Sequence, residues 1–526
     1  MSFNLATILS EGAKAHPDKP LIHFLGTRWT YQQVDELSGR VADGLRALGL
    51  QRDQKVAVQL PNVPEFIFAY FAVLKAGLVM VPLAPLLRAP EVAYHLENSD
   101  AAVLITYDGI ADEALKGAAG LPDLQVFVLA GPKGRPAPEG TRSFGELYPP
   151  ATPGIPDSTP LDGTGLPDRG PGRIEQTEAD DTAVLLYTSG TTGHPKGAEL
   201  SHFQLLMACS IGGETFGYRS DDIAVLVLPL FHIFGLSSTL NVTVRFGGSA
   251  VLLPRFEVGA VLDALERHRC TIFCGVPTMF IALLNADLTG RDVSSLSRCV
   301  SGGAAIPGEV VRGFEEKFSP AVILEAYGLS ETVALATINP SAHRRRALSV
   351  GRPAWGVDIR ILDAQGRDLP SGPAYVGELV IRGLTVMKRY YKNPEATAEA
   401  VHDGWLHTGD LGYRDEDGYF FIVDRKKDLI IRGGFNVYPR EIEEVLHAHP
   451  AVEEASVVGK PDQRLGEEVV AFVTLRNGAE TTPGELTAHC RERLARYKFP
   501  RQVIIMPALP KGSSGKVLKA ELRARL

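Results

Sequence analysis

The sequence predicts an α/β protein, with a large N-terminal domain of layered α/β subdomains plus a small β-rich subdomain, followed by a small α+β C-terminal domain. Three observations predict it. Helical and strand patterns alternate from Thr30 to Ala130, the rhythm of helices packed on a largely parallel sheet. From Val350 to Asp424 the segments become short, β-rich and punctuated by glycine. Beyond Asp424 the strand and helix patterns are those of a separate small unit.

The elements follow in order. Thr30 and Gln33 form a capping pair ahead of Val34, Leu37, Val41, Leu45 and Leu48 at helical spacing, and Gly49 is placed to end that helix. The strand KVAVQL starts at Lys55. The longest apolar stretch, Phe66 to Leu87, is broken by Lys75, Gly77, Pro82 and Pro85, so it reads as a buried helix running into a strand rather than a membrane span. Between Gly131 and Gly172 proline and glycine are frequent, which predicts a partly mobile surface excursion and no domain boundary. GELVIRG and YFFIVD are the clearest strands of the β-rich region, and VVAFVTL and QVIIM, with a helical pattern around Leu486 to Leu494, build the last unit.

Composition narrows the function. The chain has 526 residues, 45% hydrophobic and 22% charged, an ordinary globular balance with a sizeable core. The 54 Lys and Arg against 62 Asp and Glu leave a net charge of −8, with no basic excess to neutralise a nucleic-acid backbone. Five cysteines, none in the close pairs of a zinc site, fit a reduced cytoplasm, and the N-terminal residues carry no readable export signal.

Five segments could carry chemistry. YTSGTTGHPKG, Tyr187 to Gly197, follows an apolar strand and gathers hydroxyls, glycines and Lys196 in one turn. Such a turn suits phosphate oxygens, although it does not fit the P-loop pattern, and a plain Gly-rich loop explains it equally well. In YGLSET, Tyr327 to Thr332, Glu331 beside Thr332 could hold magnesium and a phosphate oxygen, and Tyr327 offers a flat face to a purine lying near the SGG run from Ser301. A surface carboxylate and a core tyrosine are the plainer readings. In GWLHTGDLG, Asp410 in a glycine-flanked turn could accept bonds from two sugar hydroxyls, or simply stabilise the turn. DRKKDLIIRGG, Asp424 to Gly434, is a charged strip at the predicted boundary, suited to a hinge or to a solvated linker. In LPKGSSGKVLK, Lys516 sits on a flexible loop that could reach into a cleft or stay solvated.

Together, in this order, the segments resemble those of the adenylate-forming superfamily, which includes acyl- and aryl-CoA synthetases, peptide-synthetase adenylation domains and beetle luciferases, and the likeness to bacterial fatty-acyl-CoA ligases is the strongest. The resemblance covers nearly the whole chain, and its specificity lies in the set of motifs. It implies a two-step ligation using ATP, Mg2+ and coenzyme A. Thr188, Ser189, Gly190, Thr191, Thr192, Gly193 and Lys196 would cradle the β- and γ-phosphates. Thr332 would contact the α-phosphate and Glu331 the magnesium. Gly302, Gly303, Ala304 and Tyr327 would form the adenine slot, with Asp410 and Arg425 on the ribose. Lys516 would bridge the substrate carboxylate and the α-phosphate. Lys427 falls at the family's hinge position, dividing an adenylation domain, 1–426, from a mobile domain, 427–526. In the second step that domain would swing, withdrawing Lys516 and presenting Arg432, Gly433 and Gly434 to the pantetheine arm. Many relatives have lysine where Gly433 stands, so a lysine-assisted second step does not transfer.

The segment Pro229 to Leu240 resembles the acyl-pocket wall of fatty-acid and hydroxycinnamate ligases, with His232 at the pocket mouth. It holds no Asp to pair with a substrate ammonium, which argues against amino acids. Phe231, Phe234, Val276 and Met279 suggest an apolar tail, although core packing would also account for the phenylalanines. The expected activity is a medium- or long-chain fatty-acyl-CoA synthetase. The alternatives are an aryl-CoA ligase and a fatty-acyl-AMP ligase that loads an acyl carrier protein. Peripheral membrane contact to collect a fatty acid stays open, though no basic amphipathic helix announces it.

Overall fold

Thr30 caps the helix Tyr31–Ala47 as its spacing predicts: its side chain accepts from the Gln33 amide, and Gln33 reaches back to the Thr30 amide. The computed structural model describes residues 3–131, 137–148, 173–188, 195–512 and 515–526. Its chain divides into two compact units. One comprises Met1–Phe273, Ser330–Leu335 and Leu384–Glu399, and the other Cys274–Leu329, Ala336–Gly383 and Ala400–Leu526.

The first unit is built on a seven-stranded sheet in the order 142–143, 125–129, 101–107, 55–59, 79–82, 182–188, 196–201. Its strands are parallel except the last pair, Thr182–Thr188 with Lys196–Ser201, which turns back on itself. The strands Ile223–Leu226, Ser249–Leu252 and Pro20–Phe24 run parallel in a further sheet, edged by Thr27–Thr30 in antiparallel. The apolar stretch from Phe66 is the buried helix Pro64–Lys75 followed by the strand Val79–Pro82. Lys75 belongs to that core. Only 1% exposed, its ammonium bonds the Asp35 carboxylate at 2.7 Å, the pairing a buried cation requires. Among the described residues no helix is long and apolar enough to cross a membrane. Most of the excursion expected between Gly131 and Gly172 lies outside the described residues. Its described part joins the seven-stranded sheet at Arg142–Ser143 and buries Phe144 and Leu147.

In the second unit Arg298–Ser301 lies parallel to Val322–Tyr327, and Thr337–Ile338 and Arg352–Pro353 follow in antiparallel. The β-rich region forms a five-stranded antiparallel sheet that includes Gly377–Gly383 and Phe420–Arg425, the strands read from GELVIRG and YFFIVD. Residues 430–526 carry a sheet of their own, centred on Val452–Asp462 and Gly466–Leu475. Alternation along these strands gives that sheet two apolar faces. Val457, Val469 and Val473 pack with Ile442, Leu446 and Leu486, whereas Val458, Val470 and Phe472 pack with Leu509 and Leu522. All five cysteines are buried and free of disulfides.

Candidate active site

Some of the predicted residues gather in two clusters. In the first unit Thr188 ends its strand with its hydroxyl 3.3 Å from Glu331 Oε1, and Lys196 begins the returning strand. Ser189, Gly190, Thr191, Thr192 and Gly193 lie outside the described residues. Glu331 and the fully buried Thr332 occupy a short 3-10 turn, Ser330–Thr332. The backbone then bends sharply: Val333 and Ala334 both have positive φ, 52° and 60°, a conformation costly for a β-branched residue and concentrated at functional sites.

Sequence reasoning missed Tyr390. Its hydroxyl donates to Glu331 Oε1 at 2.7 Å, and its ring lies 5.4 Å from the Lys196 ammonium. Burial, followed by the Glu331 charge, raises its phenol far above the ordinary value, so it remains a donor. The segment around it runs beside the strand Lys196–Ser201: the Glu199 amide donates to the Arg389 carbonyl and the Tyr391 amide to the Gly197 carbonyl. The same segment holds the turn Ser330–Thr332, since the Met387 amide donates to the Glu331 carbonyl at 2.8 Å. No spacing in the sequence signals this pairing. The buried Glu199 pairs with the exposed Arg389 at 2.8 Å across the same two segments.

In the second unit Tyr327 donates to Asp410 Oδ2 at 2.6 Å, and Arg425 Nε stands 3.0 Å from Asp410 Oδ1. Asp410 is nearly fully buried, and its strand Trp405–Arg414 pairs it directly with Arg425. The glycine-flanked turn expected here is therefore a strand: Gly409, at φ 69°, marks a distortion within it rather than a reversal. The run after Ser301 places Gly303 at φ 82°, beside Lys516. A Cβ on Gly303 would stand 3.3 Å from Lys516 Cε and 3.5 Å from Val276, so the glycine leaves room for the lysine. Gly302 donates to the Gly275 carbonyl, and Ala304 is exposed.

Lys427 lies in an exposed turn closed by the Asp428 and Leu429 amides on the Arg425 carbonyl. Arg432 is buried and paired with Glu468 at 2.6 Å, while Gly433 and Gly434 take positive φ, 58° and 82°, in the hairpin that follows. His232 precedes a π-helical segment, Phe234–Asn241, and its Nδ1 accepts from the Phe234 amide at 3.3 Å. π-Helical turns are rare and concentrate at functional sites. Phe234 is buried and Phe231 half-buried in the first unit, and Val276 and Met279 are buried in the second.

For a magnesium ion the donors are hard oxygens, the Glu331 carboxylate and the Thr188 hydroxyl. Among the described residues no group of three or more His, Cys, Asp or Glu side chains could form a closed metal cage. Hard oxygen donors of this kind suit an ion held by one carboxylate and completed by substrate phosphates.

The fold and these motifs belong to one family: residues 9–391 match the AMP-binding enzyme family and residues 441–516 the AMP-binding enzyme C-terminal domain. The chain is a member of that enzyme family. It is 36% identical to the long-chain-fatty-acid–CoA ligase of Bacillus subtilis (strain 168), over 98% of this chain and 94% of that protein. It is 39% identical to the sulfoacetate–CoA ligase of Cupriavidus necator, over 98% of this chain and 97% of that protein. The crystal structure of the anthranilate CoA ligase AuaEII in complex with anthranoyl-AMP superposes with a TM-score of 0.90 at 28% identity, covering 100% of this chain and 97% of that one.

Proposed function

We propose that the protein is an ATP- and magnesium-dependent acid–CoA ligase whose acid is aliphatic and apolar, of medium or long chain. The observation that carries the ligase reading is Lys516 beside Gly303, in the same unit as the Tyr327–Asp410–Arg425 cluster. In this reading Asp410 and Arg425 hold the ribose, and Gly302, Gly303, Ala304 and Tyr327 the adenine. Thr188, Ser189, Gly190, Thr191, Thr192, Gly193 and Lys196 take the β- and γ-phosphates, and Thr332 the α-phosphate.

In the first step a carboxylate oxygen attacks the α-phosphorus, the bond to the β-phosphate oxygen breaks, and pyrophosphate leaves. Lys516 offsets the charge of carboxylate and phosphate as they approach, a pairing worth most where water is excluded. Glu331 would hold the magnesium ion, which would supply charge neutralisation for the departing pyrophosphate. In the second step residues 427–526 turn about Lys427, Arg432 with Gly433 and Gly434 face the pantetheine arm, and the thiolate of coenzyme A displaces AMP. The cysteines take no part as nucleophiles. Burial pushes the Cys209, Cys270, Cys274 and Cys490 thiols up to about 12, so no thiolate forms near neutral pH.

The acid is read from the absence of any acidic residue in Pro229 to Leu240 and from Phe231, Phe234, Val276 and Met279. Pyrophosphate release should be followed with aliphatic, aryl and amino acids, with and without coenzyme A, and the products weighed. AMP and an aliphatic acyl-CoA are expected. Preference for aryl or sulfonated acids would overturn the substrate class, and adenylate accumulating beside unused coenzyme A would point to a carrier-protein acceptor.

A further inference from the structure

The strand Phe420–Arg425 ends in two neighbouring residues, and neighbours on a strand face opposite ways. Arg425 pairs with Asp410, in the cluster that also holds Tyr327. Asp424 engages its own neighbour and a residue that follows the turn at Lys427. Its Oδ1 accepts from the Arg425 amide at 2.7 Å, and its Oδ2 accepts from the Arg440 amide at 3.1 Å. Arg440 is the second residue of the helix Pro439–His447, whose own N-cap residue, Tyr438, provides no side-chain cap. A carboxylate is what a helix start favours, and here it comes from beyond the turn. The Arg440 guanidinium also bonds the Ile422 carbonyl, on the same strand as Asp424.

That helix leads to Lys516. Glu443, one turn on, pairs with Lys519 at 2.9 Å, and Lys519 lies in the charge field of both Asp424 and Asp428. Arg523 pairs with Asp428 at 2.6 Å. The short helix Lys519–Arg523, which starts just past Lys516, is thus fastened at one end to Glu443 of the capped helix and at the other to Asp428 beside the turn, and Lys516 comes to lie beside Gly303.

We propose that Asp424 is a positioning residue for Lys516: by capping the helix Pro439–His447 from across the turn and facing Lys519, it holds residues 427–526 in the orientation that presents Lys516 to Gly303. Through its neighbour Arg425 the same strand end ties that orientation to the Asp410 cluster. A cap supplied from across the turn must be lost whenever those residues rotate, so Asp424 favours the first half-reaction and contributes nothing to the second. The proposal rests on the two-step ligase reading above.

The test separates the half-reactions. Asp424→Ala is expected to slow pyrophosphate release from ATP and acid by about tenfold, the scale of one charge-assisted hydrogen bond. Conversion of supplied acyl-AMP and coenzyme A to thioester should stay within about twofold of wild type or rise. Asp424→Asn, which keeps an acceptor but not the charge, should retain part of the first rate, and Lys516→Ala sets its floor. If Asp424→Ala does not fold, Lys519→Met should show the same split. An equal fall in both half-reactions, or an unchanged first one, overturns the proposal alone. A wild-type protein that releases no pyrophosphate with any acid overturns the ligase reading and the proposal together.

Discussion

Tyr390 illustrates what a single residue contributes. Its hydroxyl and that of Thr188 both bond Glu331 Oε1, which fixes the carboxylate's rotation about the side chain and leaves Oε2 directed elsewhere. A carboxylate oriented in advance binds an ion at less entropic cost than one that must be ordered on binding. Tyr390→Phe removes the donor while keeping the ring that faces Lys196. Titration calorimetry with a non-hydrolysable ATP analogue should show the magnesium needed for half-maximal binding rising by roughly three- to tenfold, consistent with loss of a charge-assisted bond. An unchanged or lower requirement would remove Tyr390 from that role. None of this was legible in the sequence, because the contact depends on a segment near residue 390 running beside one near residue 198. Glu331, Lys516 and Asp410 could be singled out from the sequence because each sits in a compact local motif.

At the scale of elements, the helix His202–Phe216 opens with a Ser201 and Gln204 capping box and with a buried histidine. Nδ1 of His202 accepts from the Leu5 amide at 3.1 Å, so the ring is neutral in the fold. Burial pushes its pKa down to about 4 from 6.5. The unfolded chain therefore binds a proton that the folded chain refuses, and stability falls as pH drops from about 6.5 toward 4, by about 3 kcal/mol in the limit. Thermal melts at about pH 7 and about pH 5 should show a smaller loss for His202→Gln than for wild type, even if the variant starts less stable. Equal losses would place the acid sensitivity elsewhere, with His447, also held near 4 by burial, the first residue to test.

Element boundaries were read well where a local signal exists, as at the Thr30 cap, the strand from Lys55 and the strand Gly377–Gly383. The misreading at Asp410 has a physical cause. Glycines on both sides suggest a turn, but a glycine in a strand also supplies a positive φ where the ladder shifts register, and the sequence alone does not separate the two.

For the whole molecule, the sheet of residues 430–526 with an apolar layer on each face is the strongest argument that the segment beyond Lys427 is a domain. A fragment spanning 427–526, about the commonest size for an independent domain, should melt cooperatively and give dispersed amide resonances. A fragment without either property would make this segment an appendage of the unit that precedes it.

The cysteines carry a last consequence. With every thiol buried, the native protein offers little to a maleimide, so alkylation becomes a clock for opening rather than a measure of exposure. Cys490 lies in the core of residues 430–526, whereas Cys209 lies on the helix His202–Phe216. Mass spectrometry of which thiol is labelled first would therefore read the order in which the two regions come apart, without a dye or a mutation.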